Sequence, residues 1–315
     1  MREQQEMRAV YCAAMMEMAE KDERIVAVQA DLMGGHGMKP FAEKFPDRSF
    51  NVGVAEANMA GIAAGLAAAG KIPFIHSFAT FATRRCFDQI AISICYAGLK
   101  VCIIGSDPGV GAELNGGTHM ALEDVAIMRA LPGMTIFEPV DGVQLKAALP
   151  ALVAREGPVY IRLYRKAAES VFSEDYRFRS DKADVLKDGH DVAIMASGVC
   201  VHEALAAAES LEADGVKARV LNIHTVKPLD ADAVIRAAGE TGAVVTAENH
   251  GIIGGLGSAV AETLAEGHPA PLARVGVRDR FGEVGKQDYL MRAFGITADN
   301  IVDAVRNVLK RKRQI

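Results

Sequence analysis

The sequence predicts an α/β protein of two domains, a doubly wound parallel sheet followed by a smaller α/β domain. Three features predict it. Short apolar runs of strand length alternate with longer stretches of helical spacing, the βα order of a parallel sheet covered on both faces. At 315 residues the chain is long enough for two domains of ordinary size. The alternation also breaks once, between about 168 and 189, where Ser173-Glu-Asp-Tyr-Arg-Phe-Arg-Ser-Asp181 is polar and charged and reads as a linker. The expected boundaries are therefore 1–168, a linker at 169–189, and 190–315.

Taken in order, 8–21 has helical spacing, 25–28 and 49–54 read as buried strands, and from Asn58 onward Ala and Gly recur at helical spacing. Strands are expected at 72–75, 101–104, 135–137 and 159–163. In the second domain, 192–196, 218–222 and 243–247 read as strands, and 203–213 and 231–238 as helices. Lys227-Pro-Leu-Asp230 is a turn that starts the second of these helices. Gly61 and Gly65 remove side-chain bulk from one helix face and suit close packing against a neighbouring helix, within the chain or across subunits.

Composition excludes several classes. A net charge of −5 leaves no broad basic face for nucleic acid, and Lys310-Arg-Lys-Arg313 reads as a solvated helix end. The five cysteines (Cys12, Cys86, Cys95, Cys102, Cys200) show no Cys-x-x-Cys spacing and read as reduced thiols of a cytoplasmic protein. The longest nearly apolar run, 58–69, is too short to cross a bilayer, and the N-terminus lacks a leader pattern, so a soluble protein is expected.

The chemistry concentrates between 51 and 133. Asn51-Val-Gly-Val-Ala-Glu56 puts one carboxylate where an apolar strand turns into a helix of small residues. Such an acid can simply cap the helix; burial favours its neutral form and the helix start its anion, so the sequence leaves its charge open. Then come Pro73-Phe-Ile-His76-Ser-Phe78-Ala-Thr-Phe81-Ala-Thr-Arg84-Arg85, Gly105-Ser106-Asp107-Pro-Gly-Val-Gly-Ala-Glu-Leu-Asn115-Gly-Gly-Thr-His119 and Met128-Arg-Ala-Leu-Pro-Gly133. Phe78 and Phe81 alone would be ordinary core packing. In this order, however, the segments resemble the pyrimidine-binding half of the transketolase family. The stretch 248–262, opening Glu248-Asn-His-Gly, resembles the C-terminal domain of transketolases and of 2-oxoacid dehydrogenase β subunits. Its glycines suit the close approach of a helix start to a strand or to an anion, and the structural role is the one expected. The resemblance runs from about residue 8 to the C-terminus.

The resemblance implies roles. Glu56 is expected to contact N1′ of the thiamine diphosphate aminopyrimidine, where a shielded carboxyl favours the imino tautomer that serves as the internal base. Phe78 and Phe81 would form the wall against which that ring packs, with Arg84 beside it where longer transketolases carry Tyr. His119 would contact donor hydroxyls or the carbonyl oxygen and share in catalysis. Ser106 and Asp107 stand where transketolases have His-Asp, so the imidazole expected beside the donor is replaced by a small hydroxyl. Asn115 stands where many members place Asp; an amide both donates and accepts. Arg165, in Pro158-Val-Tyr-Ile-Arg162-Leu-Tyr-Arg165, matches the family's phosphate-binding arginine, although a solvated strand end is the plain alternative and Arg162 a second candidate. His76 and Arg85 complete the expected pocket.

The family's Gly-Asp-Gly with a downstream Asn, which holds the diphosphate and Mg²⁺, does not occur in this sequence, and no metal ligands are expected here. The resemblance thus implies one half of a split transketolase, its site shared with an N-terminal subunit in an α2β2 assembly acting on sugar phosphates. Other readings are the β subunit of a 2-oxoacid dehydrogenase, a deoxyxylulose-phosphate synthase, or a non-catalytic partner. Glu56, Ser106, Asp107 and Arg165 all follow strands, so they are expected to converge on one rim of the sheet.

Overall fold

The computed structural model describes residues 5–314. In chain order its first part reads α1 (Met7–Ala19), β1 (Ile25–Gln29), α2 (Lys39–Lys44), β2 (Ser49–Asn51), α3 (Glu56–Ala68) and β3 (Ile72–Phe78). It continues through α4 (Ala79–Ala82), α5 (Phe87–Gln89), β4 (Cys102–Ser106), α6 (Asp124–Arg129), β5 (Thr135–Phe137), α7 (Gly142–Ala154) and β6 (Val159–Leu163). The second part comprises β7 (Asp184–Lys187), β8 (Val192–Ala196), α8 (Cys200–Ala213), β9 (Ala218–Asn222), β10 (Thr225–Lys227) and α9 (Ala231–Thr241). It closes with β11 (Val244–Gly251), α10 (Leu256–Gly267), β12 (Leu272–Val277), α11 (Gln287–Phe294) and α12 (Ala298–Lys312).

Two sheets result, ordered β10-β5-β6-β4-β3-β1-β2 and β12-β11-β8-β9-β7. In the first sheet β1 to β6 are all parallel. Every residue of β1, β4, β6 and β8 is buried, as the apolar runs require of strands covered on both faces. Tyr11, Met15, Phe74 and Leu149 fill one side of the first sheet; Met59, Ala63, Ile90 and Met128 fill the other. The two-domain α/β expectation therefore agrees with the structure.

Four local differences follow from position in the sheets. β2 stops at Asn51 instead of running to Val54, because it is the edge strand and Phe50 and Val54 are exposed. β7 lies within the span expected as linker; with one residue buried out of four, it carries no strand pattern and is fixed by pairing antiparallel to β9. β10 comes from the second part yet pairs antiparallel with β5, so the first sheet borrows its last strand from beyond the linker. β3 runs on to Phe78, which carries the first aromatic residue of the expected wall to a strand end.

The parts are joined by a buried ionic network around Arg162, a fully buried side chain. Its Nε donates to Asp124 at 2.7 Å, its Nη1 to Glu138 at 2.5 Å and its Nη2 to the Asn249 carbonyl at 3.1 Å. Ser197 donates to the other oxygen of Glu138 at 2.7 Å. Arg162 is thus spent on tying the domains together and is corrected as a phosphate candidate: strand alternation turns it away from the rim. Asn249 donates to the Pro108 carbonyl at 3.0 Å and accepts from the Val110 amide at 2.9 Å, fixing the turn that leads to Asn115. A Cβ at Gly109, where φ is +55°, would overlap Asn249. The glycine-rich stretch after β11 serves the fold as well. Glu248 accepts from the Leu256 and Gly257 amides at 2.7 and 2.8 Å and so caps α10, leaving no room for a Cβ at Gly255.

Among the described residues no helix is long and apolar enough to cross a membrane, and the five cysteines are free thiols.

Candidate active site

The carboxyl-terminal ends of β2, β1, β3, β4 and β6 lie side by side, and the segments leaving them carry the polar groups of the site. Glu56 is the first residue of α3. It shares its spacing with Met59, Ala60, Ala63 and Ala64, the buried stripe of that helix, so the carboxylate is carried inward with the apolar face and only 2% of the residue is exposed. Its partners are Ser77, which donates at 3.3 Å, and Arg85, whose Nη1 lies 2.9 Å from each carboxylate oxygen. The Arg85 guanidinium carbon also lies 3.8 Å from the centroid of the Phe81 ring, over its face.

Phe78 and Phe81 meet edge to face at 6.1 Å between centroids. His119 closes the group, 5.3 Å from Phe78 and 5.0 Å from Phe81, with its Nδ1 held by the Thr118 hydroxyl at 3.0 Å. Arg85, bonded to Glu56 and lying over the Phe81 face, thus links the carboxylate to the aromatic pair and the loop histidine. Arg84 does not. The short turns after β3 send successive side chains to opposite sides, and Arg84 pairs with Glu123 at 2.6 Å beside a separate cleft of about 430 Å³ bordered by Met120, Ile252 and Phe281. At the Glu56 seat the arginine is Arg85, which corrects the expected placement of Arg84.

A second polar circuit adjoins the first. Asp107 follows β4 with φ +52° and is fully buried; Arg165 follows β6, and its Nε lies 3.1 Å from Asp107. Burial pushes the Asp107 carboxyl up to about 6 against the pull of Arg165 and Lys166. Arg165 also donates to the Gly35 carbonyl at 3.3 Å, as does Arg8 at 3.0 Å, so two guanidinium groups gather where the loop after β1 crosses the rim. That loop supplies His36, whose Nε2 is 2.8 Å from the Ser106 hydroxyl and whose Nδ1 is 3.4 Å from Gln29.

An imidazole therefore does stand beside Ser106, delivered from a different strand end. Burial, with His76, Arg165 and Arg8 adding to it, lowers His36 to about 3, so the ring is neutral and can both donate and accept. Its centroid is 6.3 Å from Phe78, which links the circuit to the aromatic wall. His36, Gln29 and Arg8 were absent from the expected site; the signal for His36 was present, a histidine in Gly34-Gly-His-Gly37 directly after a strand. His76 does not reach the cleft. It is fully buried in β3, bonded to the Tyr11 hydroxyl at 2.8 Å and 6.0 Å behind the His36 ring. Asn115 is exposed at the end of its turn, and its side chain has no partner among the described residues.

The Glu56 seat has a definite chemical preference. It holds a planar, N–H-rich group in which one edge meets the carboxylate and one face lies on Phe81. An aminopyrimidine presents the same combination of flat face and ring-nitrogen edge, so these residues fit the head of thiamine diphosphate.

Known proteins resemble the chain over nearly its whole length. The family model described as the transketolase pyrimidine binding domain matches residues 3–170, and that of the transketolase C-terminal domain matches 181–301. The chain is 58% identical to the 6-deoxy-6-sulfo-D-fructose transketolase subunit SqwH of Clostridium sp. (strain MSTE9), over 97% of this chain and 95% of that one. It is 35% identical to an apulose-4-phosphate transketolase subunit of Phocaeicola vulgatus, over 96% of this chain and 97% of the relative. A solved structure described as a split gene transketolase, inactive beta4 tetramer, superposes with a TM-score of 0.91 at 45% identity, covering 99% of this chain and 100% of that one.

Proposed function

This chain belongs to the transketolase family, and from that premise we propose that it is one subunit of a split, thiamine-diphosphate-dependent transketolase. It transfers a two-carbon ketol unit between sugars that carry a terminal anionic group. The observation that carries this reading is the Glu56 carboxylate, buried at a helix start and facing the aromatic pair Phe78 and Phe81. When bound, thiamine diphosphate supplies the carbanion chemistry that no side chain can. Everything else falls to the protein.

Glu56 holds and shares a proton at N1′, shielded by α3 and β3 so that the carboxyl acts in a low-dielectric pocket. Phe78 and Phe81 give the ring its wall and keep water from it. His119 leans on both rings with Nδ1 tied to Thr118, leaving Nε2 as the open edge that meets the donor. Arg165 and Arg8, meeting at the Gly35 carbonyl, suit the terminal oxyanion of the sugar, phosphate or sulfonate. The similarity to a subunit acting on 6-deoxy-6-sulfo-D-fructose supports the sulfonate as the first choice, with sugar phosphates as the second.

The diphosphate and Mg²⁺ are assigned to an N-terminal partner subunit, in an α2β2 assembly in the cytoplasm. Similarity to a split-gene enzyme supports the division of labour. The relatives of matching length, with the loop that sets His119 against the aromatic pair, favour ketol transfer over 2-oxoacid dehydrogenation. The test is a co-purified pair assayed for ketol transfer from 6-deoxy-6-sulfo-D-fructose and from fructose 6-phosphate. Glu56→Gln is expected to lower kcat by a factor of roughly 10² to 10⁴. Unchanged turnover in that variant would remove Glu56 from the mechanism, and a pair without ketol transfer would remove the function.

A further inference from the structure

We propose that Arg85 is a built-in stand-in for the aminopyrimidine: it fills the ring's seat on Glu56 and Phe81, and thiamine diphosphate binds by displacing it. The inference rests on the function proposed above but concerns a residue that this function does not use.

The geometry is that of a ligand in its site. Arg85 meets both oxygens of a carboxylate that has only 3% of its side chain exposed, each at 2.9 Å. Its flat guanidinium carbon stands 3.8 Å from the Phe81 centroid, a stacking distance. An aminopyrimidine would take the same carboxylate edge and the same ring face, so the two groups cannot occupy the seat together. One must leave.

Arg85 is the group built to leave. Its side chain is 44% exposed, so its route to solvent is open, whereas Glu56 is locked at the start of a buried helix face. No other residue is held by Arg85 in this position: its described contacts are Glu56 and the Phe81 ring. Moving it away breaks the Glu56 pair and the Phe81 stacking and no other described contact.

Two consequences follow. While Arg85 occupies the seat, the buried carboxylate has a counter-charge and does not destabilise the chain before assembly. Apparent cofactor affinity is also scaled down to the fraction of molecules in which the seat is free, since the binding-competent state must first be populated. The residue thus exchanges some affinity for a subunit that is safe to hold without cofactor.

Titration calorimetry of thiamine diphosphate with Mg²⁺ into the reconstituted pair tests this directly. Arg85→Met keeps an unbranched stem over Phe81 but removes the charge and the fork, and is expected to bind about tenfold more tightly than the wild type. Arg85→Lys, which keeps the charge but not the planar fork, is expected to fall between them. Without cofactor the Arg85→Met pair should melt below the wild type, and with saturating cofactor the difference should close. Equal or weaker binding by Arg85→Met would overturn the proposal, and weaker binding would make Arg85 a cofactor contact instead. If Arg85→Met does not fold, Arg85→Gln gives the same comparison. A wild-type pair that binds no thiamine diphosphate would instead defeat the proposed function, which separates the two failures.

Discussion

His36 takes its place from the fold and not from sequence spacing. Seventy residues separate it from Ser106, yet the ring and the hydroxyl lie 2.8 Å apart because β1 and β4 flank β3 and end on the same rim. Burial keeps the ring neutral there. His36→Ala removes one of the two partners of Ser106, which also donates to Asp107 at 3.5 Å, and the described contact of Gln29. Leaving buried polar groups unpaired is expected to cost about 1–3 kcal/mol of stability, measured by urea unfolding. Ketol transfer from the sugar donor should lose about tenfold in kcat/KM, while cofactor affinity stays at the wild-type value; a change in cofactor affinity would place His36 at the ring seat instead. At this scale the sequence was partly legible. Phe78, Phe81 and His119 pack on one another, and Arg85 links Glu56 to that group. The exchange of Arg84 for Arg85 was not legible, because adjacent residues in a tight turn point to opposite sides and only the path of the chain decides which faces inward.

At the level of elements, α3 shows how far periodicity reaches. The stripe Glu56, Met59, Ala60, Ala63 and Ala64 faces the sheet, as the helical spacing of small residues suggested. Gly61 and Gly65 face outward, and a Cβ at either would meet nothing within 4 Å. Their small size is thus not required by packing within the chain. Gly65→Ala is expected to raise the stability of the isolated subunit by about 0.5–1 kcal/mol, since glycine in a helix interior loses more backbone entropy than alanine. A fall in the urea midpoint would show that the face is packed between copies. The strands not expected from the sequence, β7 and β10, span only four and three residues, too short for a hydrophobic pattern to show. Each is fixed by an antiparallel partner distant in the chain. Pairing of that kind leaves no local pattern to find.

The molecule as a whole is held by the network that Arg162 organises. It joins Asp124 and Glu138 of the first part to the Asn249 carbonyl of the second, with Ser197 completing the circuit through Glu138. Arg162→Met strands two buried carboxylates and is expected to lower stability by about 3–5 kcal/mol, read from urea unfolding followed by circular dichroism. A loss below about 1 kcal/mol would show that the domains are joined chiefly by apolar contacts. Sequence alone determined the α/β architecture, the two-part plan and the identity of the acid at the helix start, because burial on both faces of a parallel sheet writes itself into local hydrophobic runs. Tertiary structure alone decided which arginine faces Glu56, which histidine stands beside Ser106, and that Arg162 belongs to the domain junction and not to the cleft. Those choices depend on distances between strands far apart in the chain, and side-chain direction across such distances is set by packing rather than by neighbours in sequence.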